Sequence, residues 1–433
     1  MPDSLATAAG DPLAFVELTR LLRQRGLAHV DSATLQLHRL LAAILRAQPH
    51  QWPDLSTLTV RLLRATAPDD PWTNPLAGPA WRQFLPHVLV ATDPHRNLVG
   101  VEQDVAWLLD NAAKYLRNRG EPGPARSLCE RALGLRRSQL GEDHPDTLTS
   151  ASNLATDLWI LGHYEQSCRL GEDALSRCHR VLGDDHPHTL RSAASLIPCL
   201  VYLGRYEHSR RLGEDTLSRC RRVLGNDHPH TLVAATGLGL CLADLGHYEH
   251  ARRLGEDALS RCRRVLGDDH PSTLDAASCL AITLRKLGQR EVARQLGEDA
   301  LSRCRRVLGE NHPNTLSTAH SLAIALRELG QYEPARQLIE NVLIRRRRIL
   351  GDDHPDTLRS VRNFALILRE LGQHEQARQL AEDTLTRMRR VLGDDHPFTL
   401  LSAHTLAAVL ADLGEHDQAR RPEEKSESGF QRG

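Results

Sequence analysis

The stretch LGDDHPHTL, Leu182 to Leu190, decides how this chain is to be read. Acid, histidine and proline side by side suggest a metal site or a catalytic loop. The phrase returns as LGEDHPDTL, LGNDHPHTL, LGENHPNTL and LGDDHPFTL, and its histidines are His144, His186, His228, His270, His312, His354 and His396, each 42 residues after the last. A second marker keeps the same step: Gly120, Gly162, Gly204, Gly246, Gly288, Gly330, Gly372 and Gly414. Self-similarity at a fixed period of roughly 20–50 residues marks a stack of identical supersecondary units.

Each unit reads as two helices. In TLDAASCLAITLRKLG (Thr273 to Gly288), Leu274, Ala277, Leu280, Ala281 and Leu284 recur at three- and four-residue steps and form one apolar stripe. The LG pair ends this helix A, with glycine in the left-handed C-terminal conformation. Helix B follows, as in YEHARRLGEDALSRCRRVLG (Tyr248 to Gly267), and also ends at glycine. The opening phrase is then a stop-turn-start signal. Proline suits the first helical turn, the Asp or His before it caps free amides, and acids suit the positive helix end.

A metal site does not fit this geometry. Packed helices lie about 8–10 Å apart, whereas zinc ligands sit at about 2.0–2.3 Å from one ion. Asp185 and His186 alone cannot complete such a site, so no metal and no other cofactor is expected. Cys178, Cys220, Cys262 and Cys304 also repeat at 42, in the phrase LSRC, and give way to Arg346 and Met388 in later copies. They are a copied helix-B position, not a paired ligand set. The run Arg345 to Arg348 is expected to be a solvated helix face.

These units resemble tetratricopeptide repeats of the 42-residue kind found in kinesin light chains. The helix-A small position is Ala155, Gly239, Ala281, Ala323, Ala365 and Ala407, with Ile197 the exception. The turn reads Gly-x-Tyr at Tyr164, Tyr206 and Tyr248, and helix B packs through Ala125, Ala251, Ala293, Ala335, Ala377 and Ala419, with Ser167 and Ser209 in two copies. The resemblance spans about residues 102 to 420. It implies an all-α, right-handed superhelical solenoid of helix-turn-helix repeats whose concave side is lined by helix A. Pro198 lies inside one helix A and is expected to kink it.

In such repeats an asparagine before the helix-A leucine helps hold an extended peptide. The matching positions are Asn153, Ser195, Gly237, Cys279, Ser321, Asn363 and Thr405; one turn earlier stand Thr149, Arg191, Val233, Asp275, Ser317, Arg359 and Leu401. This variety contrasts with the copied helix B and suggests a recognition face. The candidate partner-binding groove is Thr149, Asn153, Arg191, Ser195, Val233, Asp275, Ser317, Ser321, Arg359 and Asn363, with a protein or peptide as ligand.

The first hundred residues have no period. From Phe15 to Gln48 they read as helix, turn, strand LAHV, turn DSAT, strand LQLH and helix, a hairpin between helices. LQLHRLLAAILR resembles the histidine motif closing the winged-helix domain of STAND signalling ATPases, the class of NB-ARC proteins and many actinomycete regulators. That resemblance implies a nucleotide-sensing role for His38, in company with an ATPase domain. No GxxxxGK[ST] phosphate loop occurs, and the three lysines (Lys114, Lys286 and Lys425) follow no such pattern. The chain therefore reads as the C-terminal half of a STAND protein, with the nucleotide-binding domain upstream or separate. The expected divisions are a winged-helix-like remnant over 1–48, a helical linker over 49–100, the repeat array over 101–421 and a disordered tail over 422–433. The array comprises a degenerate first repeat, six regular repeats and a final helix A.

Composition narrows the function. The formal net charge is zero, which argues against a dedicated nucleic-acid binder. No run of 18 apolar residues and no secretory signal appear, so a cytosolic protein with reduced cysteines is expected and no membrane partner. There is no nucleophile elbow, no HExxH and no paired cysteine cluster, so the chain is not read as an enzyme. The leading reading is an interaction scaffold and sensor in STAND-type signalling; the alternative is a transcriptional regulator acting with or through a DNA-binding partner. The last helix A, carrying TLAAVLADLG, leaves apolar surface uncovered, so fraying or self-association is expected there.

Overall fold

A computed structural model describes residues 55–71, 77–96 and 98–415, with Glu17, Arg20, Gln24 and the backbone of two short strands. β1 (Ala28–Val30) pairs antiparallel with β2 (Leu35–Leu37), Ala28 opposite Leu37. His38 and the tail over 422–433 lie outside the described residues, as do most of the helices expected around the hairpin. The chain divides into two units. One holds residues 1–68 and 82–108; the other holds 69–81 and 109–433. This division differs from the expected boundaries, because residues 69–81 group with the array and the start of its first helix does not.

The first unit contains α1 (Leu55–Ala65), most of α2 (Gly78–Ala91) and the start of α3 (Glu102–Asn118). The array runs on through α4 (Pro122–Leu140), α5 (Pro145–Ile160), α6 (Tyr164–Leu182), α7 (Pro187–Tyr202), α8 (Tyr206–Val223), α9 (Pro229–Asp244) and α10 (Tyr248–Leu266). It continues through α11 (Pro271–Lys286), α12 (Arg290–Val307), α13 (Pro313–Glu328), α14 (Tyr332–Leu350), α15 (Pro355–Glu370), α16 (His374–Leu392) and α17 (Pro397–Asp412). Odd-numbered helices from α3 onward are helix A and even-numbered ones helix B. Each helix A packs on its own helix B and on the next helix A, so the core is a ribbon of small leucine and alanine clusters.

The repeated phrase assembles each turn, one letter at a time. His186 is the N-cap of α7: its Nδ1 accepts the backbone N–H of His188 at 3.2 Å. All seven motif histidines do the same, at 3.1–3.2 Å. Proline takes the first helical position. Thr189 Oγ1 donates back to the Gly183 carbonyl at 2.8 Å, and Thr231, Thr273 and Thr315 repeat that bond. The acids have a use other than the one expected from the helix dipole. Asp185 accepts from Arg219 and Arg222 near the end of helix B, at 3.3 and 2.6 Å, and so closes its helix pair like a clasp. Asp143, Asp227, Asp269 and Asp353 make the same pairs, and Asn311 stands in once. Exposed pairs of this kind are worth about 0–1 kcal/mol each, so they set geometry more than stability.

One expectation needs correction. The run Arg345 to Arg348 is not simply a solvated face: Arg345 and Arg348 hold Asn311, and Arg346 is 3% exposed. α7 spans Pro187 to Tyr202 with Pro198 inside it. Room comes from Gly237 on α9, where a methyl group would stand 3.2 Å from Ile197 Cγ2 and 4.0 Å from Pro198 Cδ.

Successive superhelical turns touch. A β-carbon on Gly120 would lie 3.0 Å from Pro313 Cδ, one on Gly162 2.7 Å from Pro355 Cδ, and one on Gly204 2.5 Å from Pro397 Cγ. Each pair is 193 residues apart (313 less 120, 355 less 162, 397 less 204). The A-to-B turn of one repeat thus seats against the His-Pro turn more than four repeats later. His354 Nε2 donates to the Ile160 carbonyl at 3.2 Å across this seam. Gly246 and Gly288 share the positive φ, +83° and +88°, with nothing near a β-carbon. We expect Gly246→Ala and Gly288→Ala to cost about 1–2 kcal/mol from backbone strain alone. Gly162→Ala and Gly204→Ala should cost about 1–3 kcal/mol more, from overpacking, and raise the radius of gyration in small-angle scattering. Four equal variants would mean that the turns do not touch in solution.

Candidate functional site

Helices A carry the varied positions, and the structure sorts them. Arg191, Ser195, Val233 and Asn153 line one cavity of about 280 Å³ with Asp70, Lys114, Arg117, Trp159, Pro198 and His230. Ser195 is exposed, Arg191 and Val233 are half-buried, and Asn153 is 8% exposed. Thr149 stands beside Arg191, accepting from its Nη2 at 3.0 Å and sharing a 2.9 Å bond with His188 Nδ1.

Most of the cavity's charge is internally matched. Lys114 Nζ pairs with Asp70 at 2.8 Å, and Arg117 Nε pairs with the buried Asp157 at 2.6 Å. Arg117 also donates to the Asn153 carbonyl at 3.1 Å. Arg191 is different. Among the described residues no carboxylate lies within ion-pair distance of it, and burial lowers its pKa. Burial, helped by Arg191, pushes His230 down to about 4, so its ring is neutral at pH 7. The cavity therefore offers one guanidinium with no bonded carboxylate among the described residues, one neutral imidazole and an apolar wall of Trp159, Pro198 and Val233.

The remaining groove candidates are not displayed together. Asn153, which borders the cavity, and Asn363 are each held in a polar cluster between helices. In the first, Arg136 Nη1 meets Asp110 at 2.6 Å, Ser150 Oγ at 2.8 Å and the Asp146 carbonyl at 2.8 Å, and Asn153 Nδ2 donates to Asp110 at 3.3 Å. In the second, five repeats on, Arg346 Nη1 meets Ser360 Oγ at 2.8 Å and the Asp356 carbonyl at 2.9 Å. Its third partner is His320 Nδ1 at 3.5 Å, and Asn363 Nδ2 contacts His320 Nε2 at 3.1 Å. A histidine stands where the first cluster has a carboxylate. Burial first, then Arg346, hold His320 well below the usual histidine range.

Arg359 serves the seam. It pairs with Asp356 at 2.8 Å, donates to Tyr202 Oη at 3.3 Å and lies 4.6 Å over the Phe398 ring. Ser317 is exposed and accepts from Arg346 at 3.3 Å, while Ser321 is half-buried near Ser278 of α11 and Gly297 of α12. Asp275 is open to water on one side, but the dense wall around it pushes its carboxyl up to about 6. The nine cysteines are free thiols, eight of them buried. Burial raises Cys220, Cys262 and Cys304 to about 11, where they pack rather than react. Among the described residues, no three His, Cys, Asp or Glu side chains are grouped to hold a metal. No described helix is long and apolar enough to cross a membrane.

Sequence reading missed Lys114, Arg117, Trp159 and His230 as site residues. A signal existed: Pro198 and Ile197 interrupt an otherwise copied helix at this point. It also missed the pairing of Asp110 with Arg136, although Arg136 and Arg346 both break the cysteine column.

Among curated proteins, none matches the chain. Solved structures share its fold. A Rap protein complexed with competence and sporulation factor aligns at 11% identity over 83% of this chain and 99% of its own, TM-score 0.51. The quorum sensor NprR from B. thuringiensis aligns at 13% over 86% and 98%, TM-score 0.51. The kinesin light chain TPR-like repeats of Podosopora anserina align at 28% over 47% and 96%, TM-score 0.39. Profiles of the tetratricopeptide repeat match residues 105–146 and 147–188, then 199–264, 252–303, 272–343, 335–390 and 360–432. With helix pairs, caps and turns repeating at that period, the chain belongs to the tetratricopeptide repeat family.

Proposed function

We propose that the array is a protein-interaction scaffold whose helix-A side takes a peptide or protein segment. The observation that carries this is the cavity of about 280 Å³, lined by the varied helix-A residues Asn153, Arg191, Ser195 and Val233 with Ser167 and Gly171 of one helix B. The Rap structure, solved with competence and sporulation factor, lends the reading support as a relative in fold. We place the scaffold in the cytosol as the sensor arm of a STAND-type switch, its partner biasing a nucleotide-binding module upstream or on a separate chain. Such coupling needs different partner affinity in the two nucleotide states. His38 would then report the nucleotide.

Val233→Trp fills the cavity without touching the caps or clasps. A partner recovered from the native organism on the wild-type chain should be lost from Val233→Trp at unchanged circular dichroism. Equal recovery on both would remove the cavity from the binding surface. A nucleotide-binding module that neither precedes the array nor co-purifies with it would end the STAND reading.

A further inference from the structure

Position 168 of helix B breaks a column. Its counterparts are Arg126, Arg210, Arg252, Arg294, Arg336 and Arg378, whereas here it is cysteine. The arginines tie together glutamates on their own helix: Arg210 holds Glu207 and Glu214, and Arg294 holds Glu291 and Glu298. Glu165 and Glu172 keep their places in the copy that carries Cys168. Arg205, in the turn between α7 and α8, reaches both of them instead, at 3.6 and 3.5 Å, and stands 3.8 Å from the Cys168 sulfur. No other copy of position 205 is an arginine; His163, His247, Gln289, Gln331 and Gln373 stand there. The guanidinium has in effect moved off helix B and left a thiol beneath it.

A second thiol meets the first. Cys199 of α7 donates to the Tyr164 carbonyl at 3.3 Å, one helical turn before Cys168. The two cysteines share one buried cluster with Leu196 and Leu200, and they hydrogen-bond each other. No other copy has cysteine at both positions. Cys241 makes the same bond, to the Tyr206 carbonyl at 3.2 Å, but has Arg210 where Cys168 would be. The bond between the two thiols holds Cys199 below the ordinary thiol range and lifts Cys168 above it. Cys199 also lines the cavity, whereas Cys168 is fully buried. A guanidinium beside sulfur favours the thiolate and opposes a bound cation, so the pair suits oxidation and not a metal.

We propose that Cys199 and Cys168 are a reversible thiol–disulfide pair, oxidised by a small hydroperoxide that enters through the cavity. The proposal stands whether or not the cavity also takes a partner. Cys199 Sγ attacks a peroxide oxygen: the S–O bond forms, the O–O bond breaks, and the leaving oxygen takes up the thiol proton as water or alcohol. Cys168, its thiolate steadied by Arg205, then attacks the sulfenic acid on Cys199. The S–S bond forms, the S–O bond breaks, and hydroxide leaves with the Cys168 proton as water. Two thiols lose two electrons and two protons, and the peroxide is reduced. Where a reducing compartment holds thiols open, disulfides of this transient, sensing kind are the ones that occur.

The test oxidises the native full chain with equimolar hydrogen peroxide at neutral pH, blocks the remaining thiols and maps the unreduced tryptic peptides. The Cys168–Cys199 link should form first, at least about tenfold faster than any other thiol reacts, and dithiothreitol should reverse it. Cys241, with the same carbonyl bond and no second thiol, should stay reduced. Cys168→Ser should leave a sulfenic acid on Cys199 that dimedone traps. Arg205→Gln, the residue of Gln289, Gln331 and Gln373, should slow the link several-fold while that sulfenic acid accumulates, at unchanged circular dichroism. A link that forms only after denaturation, or other cysteine pairs linking at the same rate, overturns the proposal. So does a native chain in which Cys241 or Cys279 is oxidised while Cys168 and Cys199 stay reduced, and so does dimedone capture on Cys168 with none on Cys199.

Discussion

Acidification from pH 7.5 to 4.5 should lower the melting midpoint of the array by roughly 10 °C or more, before most carboxylates titrate. His230, His312 and His396 are pushed down to about 4, chiefly by burial, and His270 and His354 are lowered for the same reason. An unfolded chain takes up these protons near pH 6.5, whereas the folded one takes up those of His230, His312 and His396 only near pH 4. The unfolded state therefore binds more protons across that window, and stability falls as pH falls through it. At about 1.4 kcal/mol per unit, His230, His312 and His396 each account for about 3 kcal/mol. Asp275, raised to about 6, works the other way between its unfolded value and 6, and because it is open to water it offsets only part of one of them. The net loss is on the order of 5 kcal/mol, worth about 2 °C per kcal/mol in a large domain.

The cost has a structural cause. Nδ1 of each cap must accept an amide proton, so protonating it breaks the cap, and His312, His354 and His396 also sit at the seam between turns. Asp356 and Arg346 face His354, and Arg359 faces His396. The triple substitution His312→Asn, His354→Asn, His396→Asn keeps a good capping side chain with nothing to titrate. It should remove about half of the pH dependence. A wild-type midpoint unchanged between pH 7.5 and 4.5 would refute the buried caps.

Asp110→Ala should destabilise the start of the array by about 3–5 kcal/mol, because it strands Arg136 in the interior. Both partners are nearly sealed, with side chains 6% and 4% exposed at 2.6 Å. The sister cluster predicts an opposite result. Arg346 is equally buried but has a neutral histidine where Asp110 would be, and burial lowers its pKa. Arg346→Met, which installs the residue found one copy later at Met388, should cost less than about 1 kcal/mol or stabilise, since burying an unpaired charge is itself expensive. Ser360 and His320 still bond each other at 3.3 Å. Hydrogen exchange on α3 to α5 and on α13 to α15 reads the two ends separately, as a repeat array need not melt as one unit. Equal losses at both ends would show that the missing carboxylate does not matter.

Much of this protein was legible in its sequence, because the determinants are local. The 42-residue period, the two helices per unit, proline at each helix-A start and glycine at each end need only the few residues around them. The histidine motif was readable as punctuation for the same reason. Its acids were misassigned, since the arginines they clasp lie 34 and 37 residues away. Arg359 and Asn363 belong to the expected recognition face by position alone, and the fold engages both in internal bonds. Tertiary structure alone decided the seam. It returns every 193 residues, which is no multiple of the period, because it depends on small rotations summed over more than four repeats. Among the described residues it also left Arg191 without a bonded acid, since whether an arginine meets a carboxylate depends on which helices their stacking brings together.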